Sequence, residues 1–338
     1  MKRAFAALAV GAMLAAGTAG WAMRGPLVLT PEEEKAWKAE PAYGTVIPLG
    51  HTGGMCLGTF GIAHVKGFYA DEGLKTEVYK FASKALNDAV GTGKVVACGN
   101  HIAAMLVPAV NGVRMKFTTG IQTGCKSLYA LANGPINSTK DLKGRTVAVS
   151  TAIGGSDHNI TLRFLNHDGV KPDDVKFKQV EASAVVLAMQ NGEVDAATMS
   201  DQYAEKFLDD GVLKRIRSLT FDPDFSQEPC CIHAINLDFL QANPITARKL
   251  TNAHERASEW IMEHEEEAID LLFANGWASG DRDLALRMLK TYNFLISDEL
   301  TETALRNILN DYKEFGLINS SLDTEETLKK IWEPVLKE

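Results

Sequence analysis

The stretch VAVSTAIGGSDHNITLRFL, residues 147–165, carries the strand–turn–helix pattern on which the predicted fold depends. Three apolar residues form a strand-like run, and a turn of small residues ending in Gly154 and Gly155 follows it. Ser156 and Asp157 occupy the expected N-cap position before an apolar spacing that suits a helix. Such a turn presents backbone N–H groups at the positive end of a helix dipole, which is a potential anion site. The pattern matches neither a dinucleotide-binding nor a P-loop motif, and an ordinary strand–helix turn is the simpler interpretation.

The same alternation of strands and helices extends outward from this stretch. Strand-like runs in the first half lie at residues 45–49, 75–81, 95–98 and 116–121. The second half repeats the alternation, and from residue 243 onward nearly every segment has a helical spacing. This order predicts α/β architecture, with parallel sheets covered by helices, two lobes, and ligands at the carboxyl ends of the strands.

Composition and charge narrow the class of protein. The chain has 338 residues, of which 46% are hydrophobic and 23% charged, which is typical of a soluble α/β protein of two domains. A formal net charge of −8 argues against nucleic acid or an anionic membrane as a partner. Lys2 and Arg3 precede an apolar, alanine-rich run followed by small residues up to Ala22. This pattern predicts a signal peptide over residues 1–22 and a periplasmic location.

Four segments, taken in order, resemble one known family. They are KGFYADEGL at 66–74, DLKGRTVAV at 141–149, AMQNGEVDA at 188–196, and LDF at 237–239 followed by Asn243 and Pro244. Each segment is common alone, but their order and spacing resemble the periplasmic substrate-binding proteins of ABC importers. The group in question serves nitrate, taurine, aliphatic sulfonates and thiamine-precursor pyrimidines. The resemblance covers residues 43 to 319, which is most of the chain.

The resemblance implies a type II periplasmic binding protein fold, in which two α/β lobes joined by a two-strand hinge close on a ligand. The implied organisation is a signal peptide (1–22), an N-terminal arm (23–42), a discontinuous lobe 1 (43–123 plus 235–338) and a lobe 2 (124–234). The implied role is the extracytoplasmic solute-binding component of an ABC importer, a monomer that partners a permease in the inner membrane. The chain shows none of the common hydrolase, metalloprotease or kinase motifs, so we expect no enzymatic activity and no cofactor.

Four turns at predicted strand ends make up the candidate site between the lobes. The candidate ligand-binding residues are Gly53, Gly54, Met55, Cys56, Asn100, His101, Gly155, Ser156, His158, Met199, Ser200 and Asp201. The turns contain no arginine, so backbone and hydroxyl donors would hold a small anion. Asp201 or Glu228 could hold an ammonium group, which would suit a zwitterion such as taurine, and Asp157 is expected to be a helix cap.

The five cysteines leave alternatives open. Cys56 and Cys98 fall at the ends of lobe-1 strands, whereas Cys125, Cys230 and Cys231 lie at the predicted crossover. The simpler interpretation is buried thiols or disulfides, such as Cys56 with Cys98 and Cys125 with one of the other two. We therefore expect no metal ligand. The alternative is a soft-ligand or metal binder or sensor, using cysteines with Met55, Met199, His101 and His158. A further alternative is an enzyme resembling a pyrimidine-precursor synthase, although no matching run of cysteines is present.

Overall fold

A computed structural model describes residues 23–336. The predicted signal peptide, residues 1–22, lies outside these residues. Within 23–336, no helix is both long enough and apolar enough to cross a membrane.

Two five-stranded sheets form the framework. The first contains β1 (Val46–His51), β2 (Lys75–Lys80), β3 (Ala97–His101), β4 (Met115–Thr123) and β10 (Pro229–Asn236), in the order β2-β1-β3-β10-β4. The second contains β5 (Lys126–Leu131), β6 (Thr146–Val149), β7 (Lys176–Gln179), β8 (Ala196–Ser200) and β9 (Leu213–Ser218), in the order β7-β6-β8-β5-β9. The expected α/β architecture with two lobes is confirmed.

The sheets are mixed, not purely parallel as expected. β10 is antiparallel to both β3 and β4, and β5 is antiparallel to both β8 and β9. Each of these strands arrives by crossover from the other lobe. It enters its sheet from the side where the parallel strands have their carboxyl ends, so it runs antiparallel to them.

Helices cover both sheets. In the first part of the chain they are α1 (Pro31–Ala39), α2 (Gly58–Val65), α3 (Phe68–Asp71), α4 (Ser83–Gly91) and α5 (Ile102–Val110). Around the second sheet they are α6 (Ser156–His167), α7 (Val185–Gln190) and α8 (Asp201–Asp209). The helical tail comprises α9 (Leu237–Ala242), α10 (Pro244–Glu263), α11 (Glu265–Ala274), α12 (Arg282–Leu289), α13 (Asp298–Glu314) and α14 (Thr324–Ile331). In the tail, α10 packs on α2 and α3, and both α13 and α14 pack on β4.

Two short crossovers join the lobes. β4 passes to β5 through Gly124 and Cys125 alone, and residues 219–228 lead from β9 back to β10. Because β10 pairs within the first sheet, the return to lobe 1 begins at Pro229, whereas the expected boundary was at 235. The site between the lobes is therefore bounded by residues 124–125 and by the first residues of β10.

The two lobes contact each other away from the crossovers as well. The side-chain amide of Asn159 on α6 donates to the Ala103 carbonyl on α5 at 2.8 Å. Arg163 on α6 donates to Asp311 on α13 at 2.7 Å. These contacts hold the two lobes close together on the side of α6.

Candidate ligand-binding site

Four helical segments begin where strands end at the facing edges of the two lobes. In lobe 1 the 3₁₀ turn Met55–Leu57 and α2 follow β1, and α5 follows β3 directly. In lobe 2, α6 follows β6 and α8 follows β8. Each helix start carries unpaired N–H groups and partial positive charge. The four predicted turns lie at these strand ends, and each helix start adds partial positive charge there.

The lobe-1 turn after β1 is shaped by two glycines at positive φ. Gly53 has φ 82° and Gly54 has φ 86°, a region that side chains rarely adopt. The N–H of Gly54 donates to the Trp277 carbonyl at 2.7 Å, and that of Gly53 lies 3.2 Å from His51 Nδ1. Both backbone donors are thus engaged within the protein, and the turn serves to direct Cys56 toward the junction. Met55 is buried in the core of lobe 1.

Asn100 is engaged with its neighbours. Its side-chain nitrogen lies 2.9 Å from Ser83 Oγ, and its side-chain oxygen accepts from the N–H of His101 at 2.9 Å. These contacts hold the end of β3 so that His101 projects into the junction.

The start of α6 differs from the expectation. Gly155 is the N-cap residue, and its own N–H donates to the Ala152 carbonyl at 2.8 Å. Asp157 is not a helix cap, because its buried carboxylate forms an ion pair with Lys126 and accepts from the N–H groups of Ser150 and Thr151 at 2.9 and 3.0 Å. The Asp157 carboxylate, which lies beside the candidate anion site, is therefore neutralised by a buried lysine.

Two further lobe-2 candidates lie close to the same helix start. The hydroxyl of Ser156 is buried 3.4 Å from Asp157 Oδ1. The ring of His158 packs edge-on against Phe177, and its Nδ1 lies 3.1 Å from Asn159 Oδ1. Burial lowers the pKa of His158. This histidine is thus held as a neutral group against lobe 2.

The turn after β8 anchors the first crossover. Asp201 is fully buried, and its carboxylate accepts from the hydroxyls of Tyr129, at 2.5 Å, and Thr220. Its N–H donates to the Cys125 carbonyl at 3.1 Å. Ser200 is the N-cap residue of α8 and is half-buried, whereas Met199 lies in the apolar core of lobe 2.

Glu228, the second carboxylate considered for an ammonium group, pairs with Arg163 at 2.9 Å. Both candidate carboxylates are therefore engaged within the protein.

A cluster of three cysteines and one histidine occupies the junction. Sγ of Cys56, Cys125 and Cys231 and one ring nitrogen of His101 all lie within 4.8 Å of one another. His101 and Cys231 are direct cross-strand partners on β3 and β10. The Nε2 atom of His101 is 3.4 Å from Cys125 Sγ, and Cys230 Sγ is 3.1 Å from Cys125 Sγ. We call Cys56, His101, Cys125 and Cys231 the junction cluster.

Two backbone irregularities bring these sulfur atoms together. Cys125 has φ 91° and is the only non-glycine residue at positive φ within 23–336. Its N–H donates to Thr220 Oγ1 at 2.9 Å, which holds this strained conformation. On β10, the pairing moves from Pro229 opposite Thr123 to Cys231 opposite Gln122, so Cys230 is the extra residue of a bulge. The bulge lets two consecutive cysteines approach the same site.

The thiols of the cluster have unequal acidities. Hydrogen bonds from the thiols of Cys125 and Cys231 lower the pKa of Cys56. Burial raises the pKa of Cys125, Cys230 and Cys231. Cys56 is thus the one thiol of these four whose pKa is lowered, because neighbouring thiols donate to it, whereas burial opposes ionisation of the other three.

The disulfides considered from the sequence, Cys56 with Cys98 and Cys125 with Cys230 or Cys231, are absent, and all five cysteines are free thiols. Cys98 lies in a core cluster separate from the one against which Cys56 packs. The reason is the two-residue period of β3, which directs Ala97, Gly99 and His101 to one face and Cys98 to the other. Cys125, Cys230 and Cys231 were placed near the crossover by sequence but not counted among the candidate ligands, since neither the positive φ nor the bulge leaves a sequence signal.

Comparison with known proteins identifies a family and a relative of this chain. A family model described as NMT1/THI5 like matches residues 58–268. An aliphatic sulfonates-binding protein from Escherichia coli (strain K12) is 34% identical to this chain over 88 residues. These residues cover 26% of this chain and 27% of that protein. The match therefore spans about a quarter of the relative's length.

Solved structures share the fold over nearly the whole chain. The alkanesulfonate-binding protein from Xanthomonas axonopodis pv. citri, bound to MOPS, superposes with a TM-score of 0.69 at 15% identity, covering 87% of this chain and 99% of that one. The periplasmic nitrate-binding protein from Synechocystis PCC 6803 superposes with a TM-score of 0.68 at 17% identity, covering 85% and 86%. Both likenesses show the periplasmic binding protein fold. The family match over residues 58–268 places this chain in the NMT1/THI5-like family.

Proposed function

We propose that this chain is the extracytoplasmic solute-binding component of an ABC importer and that it binds a small anion or zwitterion between its lobes. It would be exported by its N-terminal signal peptide, act as a monomer in the periplasm, and present its closed form to an inner-membrane permease without chemical turnover. Hinge closure about the two crossovers would enclose the solute.

The position of four helix starts at the strand ends of the two lobes carries this proposal. The helices α2, α5, α6 and α8 all begin at the facing strand edges, and oriented N–H dipoles favour negative charge there. The ion pair with Lys126 neutralises the charge of the Asp157 carboxylate, which would otherwise repel an anion. The sulfonate- and nitrate-binding relatives support the same class of solute.

A thermal-shift screen tests the proposal. The panel comprises taurine, alkylsulfonates, nitrate, bicarbonate and pyrimidines, with divalent metals as a separate arm. A ligand at a thousandfold its dissociation constant should stabilise the protein by about 4 kcal/mol. A shift with a sulfonate, taurine or nitrate supports the proposal. A shift with none of the anions or zwitterions contradicts the proposed class of solute.

A negative charge introduced at the start of α8 tests whether the anion binds at the lobe junction. Ser200→Asp places a carboxylate at the N-cap of α8, a position that tolerates aspartate well. We expect anion affinity to fall at least about tenfold through repulsion across a few ångströms. Titration calorimetry with the ligand from the screen measures it. Gly155→Asp is unsuitable, because a Cβ there would lie 2.8 Å from the Ala152 carbonyl oxygen.

The matched control is Ser297→Asp. Ser297 is the N-cap of α13 in the helical tail, and its hydroxyl accepts from the N–H of Leu300 at 3.1 Å. Both variants replace an N-cap serine with aspartate and add one negative charge. Equal loss of affinity in both variants would place the anion site elsewhere.

A further inference from the structure

The junction cluster assembles four potential metal ligands from four separate segments. Cys56 lies in the turn after β1, His101 ends β3, Cys125 lies in the crossover, and Cys231 is the third residue of β10. The carboxyl ends of β1, β3 and β4 and the amino end of β10 share one edge of the first sheet, which is why these segments meet. The ligand atoms lie within 4.8 Å of one another, close enough for one cation to contact all four after small side-chain movements.

Ordinary core packing does not account for this arrangement. Cys98 shows what a packing cysteine looks like here, since it is fully buried among apolar side chains of a separate core cluster. Cys125 and Cys231 also belong to an apolar core cluster, against which Cys56 packs, but unlike Cys98 their sulfur atoms lie close to an imidazole nitrogen. One of them has a backbone conformation that costs about 1–3 kcal/mol, and another follows a bulge. Strain that persists at one point commonly marks a functional site.

We propose that Cys56, His101, Cys125 and Cys231 form a binding site for a soft d¹⁰ metal cation, Zn²⁺ or Cu⁺. This inference goes beyond the proposed function and does not depend on it, because the four side chains meet whatever solute the importer carries. It also differs from the sequence-based alternative, in which Met55, Met199 and His158 were the additional soft ligands.

The donor set selects the class of metal. Three thiolate sulfurs and one imidazole nitrogen suit Zn²⁺ or Cu⁺, whereas Ca²⁺ and Mg²⁺ require oxygen ligands, and no carboxylate belongs to the cluster. Binding releases the thiol protons as the sulfurs become thiolates. The Gln122 amide lies 3.5 Å from Cys231 Sγ and can donate to it, and Cys230 supplies a further sulfur beside Cys125. Such outer contacts orient ligands in known metal sites.

Anaerobic metal titration of the full-length chain, reduced and metal-free, tests the proposal. Zn²⁺ and Cu⁺ are added in separate arms, stoichiometry is read by native mass spectrometry, and affinity by competition with a chelator. We expect one metal ion per chain in at least one arm and no binding of Mg²⁺ under the same conditions. Failure of both Zn²⁺ and Cu⁺ to bind would overturn the proposal.

A matched pair of cysteine variants assigns the ligands. Cys231→Ala should weaken metal binding at least about 100-fold, the upper end of the loss seen when only an outer contact is removed. Cys98→Ala removes a cysteine from β3, the strand that pairs with β10. Its side chain lies on the opposite face of the sheet from the junction cluster, so metal affinity should be unchanged. Equal losses in both variants would overturn the assignment.

The variant Cys125→Gly tests whether a loss of metal binding reflects a lost ligand or a failure to fold. Glycine adopts φ 91° without strain, so this variant should fold while losing metal affinity. Far-ultraviolet circular dichroism verifies the fold of each variant. A stable disulfide between Cys125 and Cys230 in the isolated protein that blocks metal uptake would also overturn the proposal. Anion binding in the thermal-shift screen is scored separately, so failure of the importer role and failure of the metal site are distinguishable.

Discussion

Asp157→Asn is expected to lower the free energy of unfolding by about 3–5 kcal/mol, because it leaves the Lys126 ammonium buried without an anion. The side chain of Asp157 is fully buried, and only 9% of the Lys126 side chain is exposed. Asp157 also holds the turn before α6 through Ser150 and Thr151. Urea denaturation at neutral pH measures the change.

The pH dependence of this pair has a defined sign. Burial favours the neutral carboxyl, but Lys126 and the hydrogen bonds from Ser150 and Thr151 outweigh it, so the pKa of Asp157 is lowered from 3.8. A carboxyl with a lowered pKa contributes stability above its unfolded value and loses it as the pH falls through the folded value. The difference between wild type and Asp157→Asn should therefore shrink below about pH 4.

Two variants control this prediction. Glu193→Gln breaks the Lys178–Glu193 pair of the same lobe, in which about half of each side chain is exposed, and should cost less than about 1 kcal/mol. Combining Asp157→Asn with Lys126→Met removes the unpaired charge and should recover part of the loss. A single Asp157→Asn variant as stable as Glu193→Gln would contradict the role of the buried pair.

Arg163→Met is expected to cost about 3 kcal/mol and to weaken solute binding by loosening the contact between the lobes. Only 5% of the Arg163 side chain is exposed, and its guanidinium joins α6 of lobe 2 to Asp311 on α13 and to Glu228 in the crossover. Without it, the mostly buried carboxylates of Glu228 and Asp311 lose their shared cation, and Asp311 keeps only the weaker contact with His167 at 3.4 Å. Urea denaturation gives the stability change, and hydrogen exchange over Ser156–His167 and Asp298–Glu314 reports the opening.

Arg287→Met is the matched control for Arg163→Met. Arg287 on α12 also bridges the lobes, through Asp209 on α8 at 2.6 Å, but 47% of its side chain is exposed. Its removal should cost less than about 1 kcal/mol and leave exchange in α6 unchanged. Equal effects of the two substitutions would show that burial of the Arg163 network does not stabilise closure.

Much of the fold is predictable from local patterns. The strand–turn–helix at 147–165 appears as β6 and α6, and the alternation of elements predicts two α/β lobes. Local patterns fail where the chain changes lobe, because the direction of β5 and β10 follows from where they enter their sheets. The same limit affects Asp157, whose sequence position indicates a cap, although its partner Lys126 is distant in sequence.

By itself the sequence determined the fold class and the family, because these depend on hydrophobic periodicity and short motifs. The turns that it predicts for a ligand site stay a prediction. Only the tertiary structure decided which side chains meet. Strand parity separates Cys98 from the junction, while a bulge and one positive φ bring Cys125 and Cys231 to His101. These features are set by pairing between distant segments. The glycine turn at 154–155, prominent in the sequence, precedes α6 of lobe 2. The junction cluster of cysteines and histidine lies instead on lobe 1 and the crossover.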